Sequence, residues 1–144
     1  MTADIGSIAK FISDLTGITT LYFERIPEKF KYPSLYFKKV FNPQNDTLCS
    51  YRTENTLRVK VFEPKDSLEI AQNIANAIYL RNRKIPILNR DGSKTNKNLK
   101  IKNVEVFEGE TEEDSQVEIN YDIVVSLYKD PTYFENFEIT KGVK

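Results

Sequence analysis

The residues with the clearest potential for chemistry are Glu63 and Lys65, which stand two positions apart where an alternating apolar segment ends. A carboxylate in such a place can hold Mg²⁺, and a nearby lysine can steady the water that attacks a substrate. Pro64 separates the two residues, however, and the nearest partner acid, Asp46, falls in a predicted turn. The same residues also have a purely structural explanation, as the end of a strand, a proline that ends it and the start of a helix, with no catalytic role.

The predicted order of a helix, three strands and a helix resembles the core of the restriction-endonuclease-like nucleases. In that family a Glu-x-Lys pair at the end of the third strand supports metal-dependent cleavage, and Glu63-Pro64-Lys65 has the same spacing. The resemblance implies a Mg²⁺-dependent nuclease as the less favoured alternative function.

Composition excludes most other catalytic chemistry. The chain has no histidine, so Ser-His-Asp and Cys-His nucleophiles and His-ligated zinc sites are absent. Cys49 is the single cysteine, which excludes an internal disulfide and Cys-rich metal sites and favours a reducing place of synthesis. The five glycines form no phosphate-binding motif. Much of ordinary enzyme chemistry is thereby excluded, and we expect neither a metal nor a cofactor.

Length and hydropathy predict one globular domain over residues 1–130, followed by an aromatic-rich C-terminal arm over residues 131–144. The 144 residues, of which 40% are apolar, are enough for a single core. No apolar run approaches the roughly 20 residues that a membrane span requires. Charges at Asp4, Lys10 and Asp14 argue against a signal peptide.

Two segments have the period of amphipathic helices. In residues 3–16 the apolar positions recur at i, i+3, i+4 and i+7 and Gly17 follows as a C-cap; they are Ile5, Ile8, Ala9, Ile12 and Leu15. The second helix is predicted over residues 67–81, after a capping box in the sequence DSLE (66–69). Its apolar stripe consists of Ala71, Ile74, Ala75 and Ile78.

The remaining segments predict strands. GITTLYFERI and SLYFKKVFN come before a turn at NPQND (42–46), and TLRVKVFE places Leu57, Val59 and Val61 on one face. Residues 85–102 read as a hairpin or extended loop around Asp91-Gly92, and the strands NVEVFE and QVEINYDIVVSLY follow. The order α-β-β-β-α-β-β predicts an α+β fold with a mostly antiparallel sheet and two helices packed on one face.

The charges of this formally neutral chain are divided between two adjacent blocks. Residues 81–102 carry eight bases against one acid, a net charge of +7, and residues 103–122 carry eight acids and no base. The candidate contact residues for another subunit or a partner are Arg81, Arg83, Lys84, Arg90, Lys94, Lys97, Glu108, Glu110, Glu112, Glu113 and Asp114.

Three interpretations of these blocks stay open. They can be two solvated loops, the commonest role of charge runs. They can also be complementary surfaces for head-to-tail self-association of identical copies. Binding of nucleic acid by the basic block is the weakest of the three interpretations, because the block lacks interleaved aromatic residues and adjoins strong negative charge.

The sequence also resembles the tail terminator, or tail-tube completion, proteins of long-tailed bacteriophages and related tail-like particles over about residues 5–128. The resemblance rests on loose patterns of apolar alternation in the segments IGSIAKFISDL, YPSLYFKKVFNPQND, YRTENTLRVKVFEP, DSLEIAQNIANAIY, NVEVFEGE and QVEINYDIVVSLY. The sequence departs from the family pattern in a longer basic segment at residues 81–102 and an unusually acidic turn.

This resemblance implies a structural protein without enzymatic activity that forms a hexameric ring on the head-proximal end of the tail tube and stops its growth. Its implied partners are its own copies, the tail tube protein, the head connector and, in sheathed tails, the sheath. It implies no membrane partner and no sequence-specific nucleic acid. The implied location is the tail of the virion, after synthesis in the bacterial cytoplasm. Another neck, head-closure or tube-associated component is the nearest alternative.

Overall fold

The computed structural model describes residues 3–45, 50–109 and 113–126, which form two helices and six strands. In chain order the elements are α1 (Ala3–Thr16), β1 (Leu21–Phe23), β2 (Ser34–Asn45), β3 (Ser50–Phe62), α2 (Ser67–Leu80), β4 (Lys84–Leu88), β5 (Lys94–Glu108) and β6 (Asp114–Ser126). The predicted α+β class and the order of its elements are confirmed.

The six strands form one sheet in the order β1-β2-β3-β6-β5-β4. β1 runs parallel to β2, and every other neighbouring pair is antiparallel. The segment around Asp91-Gly92 is the β4–β5 hairpin, in which Gly92 takes the positive φ of 88° that the turn requires. This hairpin adds β4 to the predicted strands.

The core lies between one face of the sheet and the two helices. On β3 and β6 the alternating residues Leu57, Val59, Val61, Val117, Ile119 and Tyr121 are fully buried. The helices contribute Ile8, Ala9, Ile12, Ala71, Ile74 and Ile78 to the same cluster. Burying each large apolar side chain contributes about 1.5–3 kcal/mol, so the period-2 and period-3.6 patterns together fix which faces meet.

Two predicted segments differ from the structure in length. The NPQND turn is wrong, because Asn42–Asn45 continue β2 and pair with β3 in the register Asn42↔Glu54 to Asn45↔Tyr51. Asp46 lies outside the described residues. The strand predicted in GITTLYFERI is only three residues long, since the chain turns away at Glu24, which has a φ of 67°.

Three details of the helices also need correction. The DSLE capping box is absent, because Asp66 makes no side-chain cap hydrogen bond; instead Ser67 Oγ lies 3.0 Å from Ser115 Oγ of β6. Leu15 does not extend the buried stripe of α1, as it is 44% exposed. Arg81 is the C-cap of α2 rather than its last helical residue. Cys49 and the predicted C-terminal arm lie outside the described residues.

A buried polar network fixes the start of α1 to the sheet. Asp4, in the first turn of α1, is only 7% exposed, and its Oδ2 accepts hydrogen bonds from Lys39 Nζ at 2.7 Å and Tyr121 Oη at 2.5 Å. Because Lys39 belongs to β2 and Tyr121 to β6, one carboxylate connects the helix to two strands. Burial, together with the Asp4 carboxylate, raises the pKa of Tyr121 well above its ordinary range.

We expect Asp4→Ala to lower the free energy of unfolding by about 2–4 kcal/mol, because it removes the acceptor that the buried Tyr121 hydroxyl and the half-buried Lys39 ammonium share. Urea denaturation followed by circular dichroism measures the change. Asp14→Ala is the matched control, since its pair with Lys10 is exposed and its removal should change stability by less than about 0.5 kcal/mol. Equal effects of the two substitutions would contradict the assigned role of the network.

The Tyr121 hydroxyl should also make stability depend on alkaline pH. Its pKa is higher in the folded chain than the ordinary value of 10.0, so the folded state holds the proton more tightly. The stabilisation is complete below pH 10 and should be lost progressively above it. Unfolding free energies measured from pH 9 to pH 11 should fall less steeply for Tyr121→Phe than for the natural chain; parallel slopes would contradict this assignment.

Candidate functional site

Strand β5 places the two charge blocks at opposite ends of its length. Its first part carries Lys94 and Lys97 and pairs with β4, whereas its last part carries Glu105 and Glu108 and pairs with β6. Fifteen residues of extended chain span up to about 45 Å. The blocks that are adjacent in sequence are therefore separated in space, with a register shift between Ile101 and Asn103 at their boundary.

The basic end is built from the turn after α2 and from the β4–β5 hairpin. Asn82 and Arg83 both have a φ of 58°, and this left-handed turn directs the chain from α2 into β4. Arg83 Nη1 then donates to the carbonyl of Lys102 at 2.8 Å, and the Arg81 guanidinium lies 5.1 Å from the centre of the Phe11 ring.

The predicted bases at this end project into solvent. Exposed side chains are those of Arg81, Arg83, Lys84, Arg90, Lys94 and Lys97. Within the described part of the chain none of them forms a salt bridge with a carboxylate. Asp91 is the acid of this segment, and hydrogen bonds from the Ser93 hydroxyl and backbone lower the pKa of its carboxyl. Positive charge at this end is therefore available to an external partner.

The acidic hairpin, defined as the end of β5 with Gly109 and the start of β6 with Glu113, carries the opposite charge. Glu108 and Glu113 are exposed, and Asp114 is half-buried. The Tyr32 hydroxyl donates to Glu113 Oε2 at 3.2 Å; partial burial and this contact raise the pKa of Tyr32. Glu110 and Glu112 lie outside the described residues.

Gly109 allows the acidic hairpin to close. Its backbone N–H donates to the carbonyl of Asp114 at 3.1 Å. A Cβ at position 109 would overlap the Asp114 carboxylate and the Asp114 backbone carbonyl. The close approach of the two chains therefore requires glycine on steric grounds, without any special φ.

Part of the acidic block is neutralised within the subunit. On the solvent face of the sheet, Glu118 lies 3.2 Å from Arg58, and Asp122 lies 3.9 Å from Arg52 and 3.7 Å from Lys102. Glu105 stands directly opposite Glu118 in the β5–β6 register, where Arg58 on β3 offsets the repulsion between them. Charge that could act on another molecule is thus concentrated towards the two ends.

A groove of about 300 Å³ lies beside the basic end, between α1 and β4. Its apolar lining comes from Phe11, Leu15, Pro86 and Leu88, and Arg81 and Lys94 supply positive charge. This α1–β4 groove extends into a neighbouring depression that shares Ser7, Lys10 and Leu88 and reaches Arg90. Such a lining suits an apolar group that is surrounded by negative charge.

The predicted nuclease residues show a local structural contact. Glu63 follows β3, and its Oε1 accepts the backbone N–H of Lys65 at 3.4 Å, so the pair helps shape the link to α2. The described residues contain no group of three or more His, Cys, Asp or Glu side chains that could hold a metal ion. No helix among the described residues is long and apolar enough to cross a membrane.

Sequence patterns did not identify the groove or Phe107. Phe107 is 42% exposed and lies in the acidic hairpin, on the solvent face of β5. A signal for it existed, because Val104 and Val106 define the buried face and an aromatic residue at position 107 must point the other way. Phe11 and Leu15 meet β4 only in the folded chain, so no local pattern could pair them with Pro86.

Comparisons with known proteins identify two relatives from Bacillus subtilis (strain 168). The chain is 30% identical over 121 residues to the phage-like element PBSX protein XkdJ, covering 81% of this chain and 82% of XkdJ. It is 28% identical over 108 residues to the uncharacterized protein YqbJ, covering 73% and 74% of the two chains. No family model matches the sequence.

A solved structure has a similar fold. A chain from the virion of a native gene transfer agent particle aligns with a TM-score of 0.50, covering 84% of this protein and 92% of that chain. The sequence identity is 11%, so the likeness concerns the fold alone.

We expect Gly109→Ala to lower the free energy of unfolding by about 1–3 kcal/mol, because the added methyl group forces the hairpin apart. Chemical denaturation measures the loss. Glu108→Ala is the control, since the exposed Glu108 side chain, next to Gly109 in the sequence, can be replaced with little effect on stability. If Gly109→Ala is as stable as Glu108→Ala, the described closure of the hairpin is incorrect.

Proposed function

Since the chain belongs to the family of the phage-like element PBSX protein XkdJ, we propose that it is the tail terminator of a phage tail or phage-tail-like particle. In this proposal identical copies close a hexameric ring on the head-proximal end of the tail tube. The ring stops tube growth and presents a surface to the head connector and, in a sheathed tail, to the sheath. The role is structural and involves no catalysis.

The single observation that carries this proposal is the separation of charge along β5. A subunit with a basic end and an acidic end is complementary to its own copy in a head-to-tail arrangement. Such an arrangement is heterologous, and a ring results when the rotation between neighbours closes. Support also comes from the relation to a phage-like element and from a fold found in a virion chain.

The charged contacts would set the register of the ring more than its strength. An exposed ion pair contributes on the order of 0–1 kcal/mol, so apolar contacts must supply much of the association energy. Opposed charges nevertheless orient approaching copies and disfavour like-to-like contacts. Exposed charges are screened over about 8 Å at physiological ionic strength, so association should weaken as salt is added.

Charge reversal tests self-association. One variant carries Lys94→Glu and Lys97→Glu, and the other carries Glu108→Lys and Glu113→Lys. Each variant alone should associate at least about tenfold more weakly, because the reversed side chains then meet charges of their own sign across the contact. An equimolar mixture should recover assembly, since the two variants are complementary to each other. Native mass spectrometry and sedimentation measure the outcome, and undiminished association of each variant alone would refute the head-to-tail contact.

Removal of the protein tests the terminator role itself. Particles that lack the chain should contain tail tubes of uncontrolled length, measured by negative-stain electron microscopy. Expression of the natural chain in the same cells should restore a uniform length, which controls for effects on neighbouring genes. Tubes of normal, uniform length without the chain would exclude tube termination and favour another neck or head-closure role.

A further inference from the structure

We propose that the α1–β4 groove of one copy receives the acidic hairpin of the next, with Phe107 as the side chain that enters it. This inference rests on the proposed ring and assigns the two surfaces that form its subunit contact. The occupant is a second copy of this chain, because both halves of a complementary pair are present on each subunit.

The inserted side chain is that of Phe107. Phe107 is an aromatic residue that is 42% exposed on a strand otherwise dominated by charge. Glu105, Glu108 and Gln116 are its neighbours along β5 and in the β5–β6 register. An isolated exposed apolar residue needs no explanation by itself, but aromatic side chains are enriched at the centres of protein interfaces.

The receiving surface is the α1–β4 groove. Leu15, at the rim of the α1–β4 groove, is 44% exposed, and Phe11, Pro86 and Leu88 extend the apolar lining. The charged lining includes Arg81 and Lys94, while Lys10 and Asp14 neutralise each other at 3.1 Å. An apolar floor with net positive charge matches a phenyl ring flanked by carboxylates both in hydrophobicity and in sign.

Strand addition is the competing mode of contact on this side of the subunit. β4 lies at an edge of the sheet, where another copy could add a strand. Pro86 has no backbone N–H, Leu88 donates its N–H to Ser7 Oγ at 2.9 Å, and Lys84 donates its N–H to the carbonyl of Arg81 at 3.2 Å. Because these backbone donors are occupied or missing, a contact through the side chains of the groove is favoured over the addition of a strand to β4.

The arrangement is also directional. The acidic hairpin and the α1–β4 groove lie at opposite ends of β5, so a subunit cannot insert its own Phe107 into its own groove. Each copy instead presents its acidic hairpin to one neighbour and its groove to the other, which gives the head-to-tail contact that a ring requires.

Disulfide trapping in assembled particles tests the inference. Leu15→Cys and Phe107→Cys are introduced on separate full-length chains, each with Cys49→Ser, and the two chains are expressed together. A disulfide needs Cα atoms within about 7 Å, so mild oxidation should give a covalent dimer only if the two positions meet between copies. Val40→Cys replaces Phe107→Cys in the matched control, since Val40 is equally exposed, at 44%, on a distant strand of the sheet.

A dimer with Phe107→Cys and none with Val40→Cys supports the contact. Absence of the dimer in intact particles, or equal dimer in the control, overturns it. A further outcome also overturns it: if Leu15→Cys becomes reactive towards a thiol reagent only after residues 131–144 are removed, that segment, rather than a second copy, covers the groove.

Phe107→Ser supplies an independent measurement. It should weaken self-association of the purified chain about tenfold or more, whereas Phe107→Leu should retain most of it and Val40→Ser should have little effect. Because Phe107 is exposed, circular dichroism should show an unchanged fold. Equal association of the Phe107→Ser variant and the natural chain contradicts the assignment.

Failure of this contact can be distinguished from failure of the terminator role. If tubes have the correct length but no Leu15–Phe107 dimer forms, the ring exists through other surfaces. If the dimer forms but tube length is normal without the chain, the subunit contact is correct and the terminator role is wrong.

Discussion

The double pairing of β5 is the constraint on which the rest of the structure depends. Its first part is hydrogen-bonded to β4 and its last part to β6, and the register shifts between Ile101 and Asn103, where the partner changes. β4 in turn supports α1, whose first turn is fixed to β2 and β6 through Asp4. The position of α1, the formation of the groove and the separation of charge therefore all follow from how this one strand is shared.

The sequence predicted the elements whose apolar period is long and regular. Both helices and the buried faces of β3 and β6 are confirmed, because burial of these faces outweighs local preferences. The resemblance to a phage tail-related family is confirmed by the relation to XkdJ. The NPQND turn was wrong because pairing with β3 overrides the turn preference of Asn, Pro and Asp, and the capping box failed because Asp66 does not adopt the required contact.

The candidate site was predictable only in part, and the reason is physical. Charge is visible in a sequence, so all the predicted contact residues at the basic end are found exposed. Which charges neutralise each other is decided by strand register, and Glu118 and Asp122 prove to be paired within the subunit. The groove depends on contact between α1 and β4, which are far apart in the chain. The domain limits, the C-terminal arm and the contact role of the charged residues stay predictions.

Each long outer stretch of the sheet contains a proline. Pro86 lies in β4, and Pro43 lies in the part of β2 that extends beyond its pairing with the short β1. A proline cannot donate a backbone hydrogen bond, so both stretches are poor templates for adding further strands. Both prolines therefore interrupt the regular hydrogen-bond ladder that cross-β stacking of identical chains requires, which lowers the tendency of these sheet edges to aggregate.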